Sequence, residues 1–438
     1  MKHPIYIGID LGTSGCRAIA ISEQHNIVGE ASVTLPASLR TGTHVEQDPT
    51  LWWTAVCDCL GQLTAIINPQ QVTAIAVDGT SATLLLTDKQ GTPLGPALMY
   101  NDARATVQAA TIARTAPSHT AAQGPGSALA KLLWLTENGA TATAQHACHQ
   151  ADWITAMLSG RFPAQTVISD YNNALKLGFD VQQKTWPQWL STLKLSMDLF
   201  PQVVAPGTII GTISKETANR FMLPQNTRIV AGTTDSTASF LATGAHTVGE
   251  AVTALGSTLV VKVISEHPVF APQYGVYSQP LISNGQMRWL VGGASNSGGG
   301  VLKHYFSLEQ LAEMTPLLQP DTPTGLDYYP LSAPGERFPV NDPQRAPRLE
   351  PRPADDVVFF QGMLEGIARI EAKAYRLLAK LGAPYPLSVR TTGGGAQNMA
   401  WTNMRKNLLN ADIQAAQHTE AAFGAALLAK TNGKKTLL

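Results

Sequence analysis

One short pattern opens both halves of the chain. Ile5 to Asp10 is apolar up to its last residue, Leu11-Gly12-Thr13-Ser14-Gly15 is turn chemistry, and Cys16 to Ile21 is apolar again. The order returns as Val252-Thr253-Ala254, then Leu255-Gly256-Ser257-Thr258, then Leu259 to Ile264. Each reads as strand, tight turn, strand, since glycine and hydroxyl residues punctuate two apolar runs. Two Leu-Gly-hydroxyl-hydroxyl hairpins predict a duplicated α/β domain with its boundary near residue 242. The expected domains are 1–241 and 242–416, and the C-terminal segment 417–438 could complete the first. A chain of 438 residues has room for both, at about 100–200 residues per domain.

Between the hairpins, Asn26 to Thr34 predicts a third strand. Asp48-Pro49 is an N-cap followed by a first-turn proline, opening a helix to about Ile67. Val72 to Asp78 is a continuous apolar run suited to a strand covered on both faces, and Arg228 to Ala231 is another. Helices are expected at Ser127–Glu137, Ala151–Leu158, Lys215–Met222 and Ser236–Gly244. The second half predicts a Gly-rich turn and helix over Gly292–Tyr305 and a Pro-rich excursion over Pro316–Pro353. It continues with a long helix over Asp355–Leu381, a strand over Leu387–Thr391 and a final helix over Thr419–Lys430.

Composition removes several functions. Lys plus Arg and Asp plus Glu number 31 each, so no basic face is available to neutralise a nucleic-acid backbone or dock on an anionic membrane. No segment has the roughly 18 uncharged apolar residues that a membrane span needs, and the N-terminus lacks a signal-peptide pattern. Four cysteines in this length make no disulfide framework, which fits a reducing compartment such as the cytoplasm. His146, Cys148 and His149, even with Cys57 and Cys59, match no standard zinc spacing. Trp52 and Trp53 read as core residues of the first helix. The partners left are small molecules, with the protein a monomer or homodimer.

Five segments carry candidate chemistry, each with a plainer reading beside it. Asp10 to Gly15 could cradle phosphate through backbone N–H and hydroxyl groups, with the carboxylate for a magnesium ion, or be an ordinary hairpin turn. Gly256, Ser257 and Thr258 repeat the turn, and two such turns can hold adjacent phosphates. Gly393-Gly394-Gly395-Ala396-Gln397-Asn398 clears space for a flat ring or simply links strand to helix. Asp235 could act as a base or as an N-cap. Asp78-Gly79-Thr80-Ser81 suits polyol hydroxyls or a plain turn. The polar run Ser169-Asp170-Tyr171-Asn172-Asn173 fits a pocket wall or a solvated loop.

In this order these segments resemble the FGGY carbohydrate kinases of the actin-like, ribonuclease-H-like ATPase superfamily. The resemblance includes Glu46-Gln47-Asp48-Pro49 before Trp52-Trp53, Tyr100-Asn101-Asp102-Ala103-Arg104, and Tyr329-Pro330-Leu331 followed by Gly335-Glu336-Arg337-Phe338-Pro339. It implies two ribonuclease-H-like domains with a cleft between them, a sugar kinase, and ATP with Mg2+. By position it makes Asp235 the catalytic base and Asp10 the second catalytic carboxylate, holding the metal through water. Sugar would meet Asp10, Ser14, Gly15, Asp78, Ser81 and Asp235. ATP would meet Gly12, Thr13, Gly256, Ser257, Thr258, Gly298, Gly394, Gly395 and Asn398. Asp170 to Gly178 and Gly325 to Leu331 look most like the small D-ribulose kinases of cyanobacteria and plants, once grouped with xylulose kinases. Asp78-Gly79-Thr80-Ser81 departs from the Met-His-Gly turn common in xylulose kinases. The implied reaction is D-ribulose to D-ribulose 5-phosphate, with D-xylulose kinase or a catalytically silent sugar-binding protein as the alternatives. An actin-like switch would need a partner-binding module, and none is legible.

Overall fold

A computed structural model describes residues 3–283 and 285–431, so part of the 417–438 segment lies outside the described residues. The chain divides into two compact units, Met1–Ala242 with Pro280–Gln286 and Glu420–Leu438, and Thr243–Gln279 with Met287–Thr419.

The first unit is built on β1 (Ile5–Leu11), β2 (Gly15–Ser22), β3 (Ile27–Thr34), β4 (Val72–Gly79), β5 (Ile209–Thr212) and β6 (Arg228–Thr234). Their order in the sheet is β5-β6-β4-β1-β2-β3. The β1–β2 and β2–β3 pairs are antiparallel, whereas β4 runs parallel to both β1 and β6. Helix α1 (Pro49–Ile66) starts where Asp48 accepts from the Thr50 N–H at 2.9 Å. Its Trp52, Val56, Cys59, Leu60 and Leu63 form one buried stripe at helical spacing. Trp52 is therefore core, edge-on to Trp153 of α2 (Gln150–Ser159) at 6.4 Å between centroids. All four cysteines are free and buried.

Helix α3 (Asp235–Ala242) follows β6 without a loop. Gly232 makes this possible, because a Cβ there would lie 1.8 Å from the Val77 carbonyl oxygen where the β6–β4 register shifts. Such a bulge bends its strand and re-aims the side chains that follow, here Thr233 to Asp235.

The second six-stranded sheet contains β7 (Glu250–Leu255), β8 (Leu259–Ser265), β9 (Tyr277–Ser283), β10 (Gln286–Ser295), β11 (Ser388–Thr392) and β12 (Asp412–Ala415), ordered β9-β10-β8-β7-β11-β12; it belongs to the second unit except for the Pro280–Gln286 end of the β9–β10 hairpin, which counts with the first. It repeats the first pattern: an antiparallel hairpin, a third antiparallel strand on β8, and a parallel strand, β11, on the outer side of β7. Helices α4 (Asp356–Lys380) and α5 (Met399–Leu409) cover it. The buried ion pair of Arg405 on Glu371, at 2.6 Å, joins them, and Glu371 also accepts from Thr253 of β7 at 2.6 Å.

One sequence expectation fails here. Gly292 does not open a turn and helix, since it lies inside β10 and the only helix in that stretch is the short Gly299–Leu302. Gly292 and Gly293 serve close packing instead: added Cβ atoms would sit 2.3 Å from the Val261 oxygen and 2.7 Å from the Phe338 ring. The final helix α6 (Ala421–Lys430) packs against β1 and α3, both in the first unit. Gly8 and Gly424 allow that approach, because their Cβ atoms would meet the Ala422 oxygen at 2.0 Å and the Ala238 oxygen at 1.9 Å.

Candidate active site

Three carboxylates gather where the parallel strands of the first unit end. Asp10 of β1 stands opposite Asp78 of β4, and Asp78 stands opposite Thr233 of β6, two residues before Asp235. Cross-strand partners sit about 5 Å apart, so this register alone brings acidic groups together. Asp78 is fully buried. Burial pushes it well above the usual carboxylate range, and the charges of Asp10 and Asp235 push it further. Burial raises Asp10 as well, with the Glu420 charge adding to the effect. Asp235 heads α3 and accepts from the Ser236 N–H at 2.6 Å, so it sits at the helix end where a negative charge is favoured.

A second set of groups surrounds these. Gln150, first residue of α2, accepts from both the N–H and the hydroxyl of Thr80, at 2.9 and 2.7 Å, and so fixes the turn after β4. A short strand, Ile168–Asp170, runs into the helical turn Tyr171–Leu175. Asn172 in that turn donates to the Thr233 hydroxyl at 2.9 Å. Asp170 is buried and accepts from the Asn173 amide at 2.6 Å and from the Asn172 N–H at 2.8 Å. Burial, helped by the Asp152 charge and opposed by those hydrogen bonds, pushes Asp170 up to about 7. The polar run 169–173 is therefore interior wall, not solvated loop.

Much of this polar surface has no protein partner. Among the described residues, thirteen buried side-chain atoms lack a hydrogen bond, and eight of them belong to Asp10, Asp78, Ser81, His149, Gln150, Asn172 and Asn173. An unsatisfied buried polar group costs about 1–3 kcal/mol, so this concentration of donors and acceptors suits a ligand rich in hydroxyl groups.

The turn of the first hairpin is held from behind. Gly12 donates to the Gly15 carbonyl at 2.9 Å, and the Ser14 carbonyl accepts from the Leu35 N–H at 2.8 Å. Gln47 reaches the carbonyls of Pro36, at 2.8 Å, and Thr13, at 3.5 Å, and is itself fixed by the Trp52 indole N–H at 2.7 Å. Asp102 likewise accepts from the Val45 N–H at 2.6 Å and pairs with Arg104 at 2.7 Å. The Gln47-to-Trp52 and Asp102-to-Arg104 segments thus hold the scaffold beneath the site.

In the second unit the corresponding turn closes a cavity of about 650 Å³. Gly256, Ser257, Gly394, Gly395 and Asn398 line it. Thr258 and Gly298 are not among its lining residues. Gly298 backs the turn, since its Cβ would lie 2.7 Å from the Ser257 oxygen, and Asn398 also caps α5 through the Trp401 N–H at 2.9 Å. Motif reading missed the apolar walls, Leu302, Leu311, Phe360 and Leu364, together with Lys303. An apolar slot beside a Gly-rich, hydroxyl-bearing turn fits a base and its phosphates. Glu336 supports the slot from outside, accepting from the Ser295 hydroxyl at 2.6 Å and the Asn296 N–H at 2.8 Å just ahead of Gly298.

Known proteins resemble this chain along nearly its whole length. Xylulose kinase of Escherichia coli strain K12 is 26% identical over 461 residues, covering 99% of this chain and 92% of its own. L-fuculokinase of the same strain is 24% identical, covering 98% and 92%. The crystal structure of a xyloylose kinase from Brucella ovis superposes with a TM-score of 0.86 at 25% identity, over 97% of this chain and 90% of that one. The N-terminal domain of the FGGY family of carbohydrate kinases matches residues 5–242 and its C-terminal domain matches 251–432. With both domain patterns matched in order along nearly all its length, the chain belongs to the FGGY family of carbohydrate kinases, the sugar phosphotransferases of the actin-like ATPase fold.

Proposed function

We propose that this kinase transfers the terminal phosphoryl group of ATP to the terminal hydroxyl of a ketopentose, D-ribulose above all. The observation that carries the reading is the set of unsatisfied buried polar atoms around Asp10, Asp78 and Asp235. A sugar hydroxyl is about as weak an acid as water and far weaker than a carboxyl group, so Asp235 cannot ionise it beforehand. Asp235 orients the hydroxyl and accepts its proton late, as the bond to phosphorus forms, which suits a loose phosphoryl-transfer transition state. Asp78, whose burial and acidic neighbours favour its protonated form, donates to a sugar oxygen. Gln150, Asn172 and Asn173 offer the remaining amide contacts. In the first unit Gly12 and Thr13, and in the second Gly256 and Ser257, offer N–H and hydroxyl donors suited to phosphate oxygens, and in the second unit Gly394, Gly395 and Asn398 suit the nucleoside.

The residues fit a magnesium ion. Asp10 keeps one carboxylate oxygen without a protein partner, and the neighbouring donors are hard oxygens. No three His, Cys, Asp or Glu groups among the described residues converge to hold an ion directly, so Asp10 would hold it through water. When bound, the ion neutralises charge on the phosphate oxygens.

A second reading, D-xylulose as the acceptor, is favoured by relatives that are xylulose kinases. Against it weighs the turn Asp78-Gly79-Thr80-Ser81, held by Gln150, which departs from the Met-His-Gly turn common in xylulose kinases. A panel of pentuloses and polyols, scored by sugar-dependent ADP release, tests both. D-ribulose should give a kcat/KM at least about tenfold above D-xylulose, or about 1.4 kcal/mol in transition-state binding. The reverse order overturns the D-ribulose assignment, and no turnover with any pentulose overturns the ketopentose reading.

A further inference from the structure

Away from the nucleotide cavity, the C-terminal half of α4 forms one wall of a second concavity of about 620 Å³. Lys373, Arg376 and Lys380 line it, together with Gln273, Tyr274 and Asn341, over an apolar floor that includes Leu377, and no lining residue is acidic. The three cations are exposed, and none has an ion pair or side-chain hydrogen bond among the described residues. Arg369, one turn earlier on α4, behaves differently: it pairs with Glu365 at 3.8 Å and donates to the Leu326 carbonyl at 2.6 Å.

Spacings of three and four residues place the three side chains on one helix face, where like charges repel. From first to last they span about 10 Å of helix axis. Three cations on one face offer more positive charge than one phosphate neutralises, whereas an anion with two charged centres divides them between its two groups. The concavity, its neutral amide and hydroxyl donors and its apolar floor favour a compact solute over a flat anionic surface.

We propose that this concavity is a binding site for a small molecule bearing two phosphate groups, separate from the nucleotide cavity and independent of the identity of the sugar. Titration calorimetry with inorganic pyrophosphate tests it, comparing the wild-type chain with K373Q/R376Q/K380Q. The wild type should show a pyrophosphate binding event that the triple variant weakens at least about tenfold, because three charge-assisted contacts are removed. Inorganic phosphate should bind the wild type at least about tenfold more weakly than pyrophosphate. The charge-conserving K373R/K380R variant should keep the pyrophosphate event. ADP affinity should agree within about twofold between wild type and triple variant, which shows that both are folded. Equal pyrophosphate affinity in the two proteins overturns the site. So does sedimentation of the wild type, but not the variant, with phosphatidylserine vesicles in the absence of a pyrophosphate event, since the patch would then serve a membrane surface.

Discussion

A single methyl group added at Gly424 tests how α6 supports the end of the first sheet that carries Asp235. Its Cβ would lie 1.9 Å from the carbonyl oxygen of Ala238 and 2.6 Å from the carbonyl carbon. A carbon–oxygen contact needs about 3.3 Å, so α6 and α3 must separate locally by about 1.4 Å. Neither partner is a side chain that can rotate away. Overpacking costs about 1–3 kcal/mol, and a clash of backbone on backbone belongs at the upper end. A loss of about 3 kcal/mol corresponds to a fall of about 6–12 °C in the transition of a unit this size. Because Asp235 begins the helix that carries Ala238, turnover should fall as well. Gly61 is the control: it lies inside α1 and its Cβ would meet nothing within 4 Å. Gly61→Ala should therefore raise stability by about 0.5–1 kcal/mol. Differential scanning calorimetry of both variants reads the two signs directly. If Gly424→Ala melts at or above the wild-type temperature, the packing of α6 against α3 is wrong.

Lys131 is fully buried and donates to the carbonyls of Ala82, at 2.9 Å, and Met99, at 2.7 Å. Burial pulls its pKa down to about 7 against the opposing attraction of Asp102. The folded state then binds fewer protons than the unfolded state between pH 7 and about 10.5, so this group makes stability rise with pH across that window. The ceiling is on the order of 5 kcal/mol at about 1.4 kcal/mol per unit, and urea midpoints of Lys131→Met should lack the rise. Glu371→Gln leaves buried Arg405 without its counter-charge, so urea unfolding should show a loss of about 3–5 kcal/mol. A loss under about 1 kcal/mol would mean that the pair does not hold α4 against α5.

The duplicated architecture was legible because its signal is local. Leu11-Gly12-Thr13-Ser14 and Leu255-Gly256-Ser257-Thr258 announce two hairpins, and the continuous apolar run from Val72 announces a buried parallel strand. Asp10 and Asp78 could be nominated singly, but only the β1–β4 register shows that they face each other. Gln150 gave no signal, since a glutamine at a helix start is unremarkable until its carbonyl meets Thr80, 70 residues away in sequence. The run 169–173 stayed ambiguous because burial, which decides between wall and loop, depends on strands distant in the chain. Gly292 and Gly293 misled for a related reason: glycine as a turn former and glycine as a close-packing strand residue look alike until the neighbours are known.

Asp235 is the group proposed to receive the sugar's proton. Asparagine caps a helix about as well as aspartate, so Asp235→Asn should leave the fold and ADP affinity close to wild type. Sugar-dependent ADP release by that variant is the most direct measurement. We expect kcat/KM to fall by at least about a hundredfold while the ADP dissociation constant stays within about twofold. Turnover within about threefold of wild type would contradict the assignment and move the chemistry elsewhere.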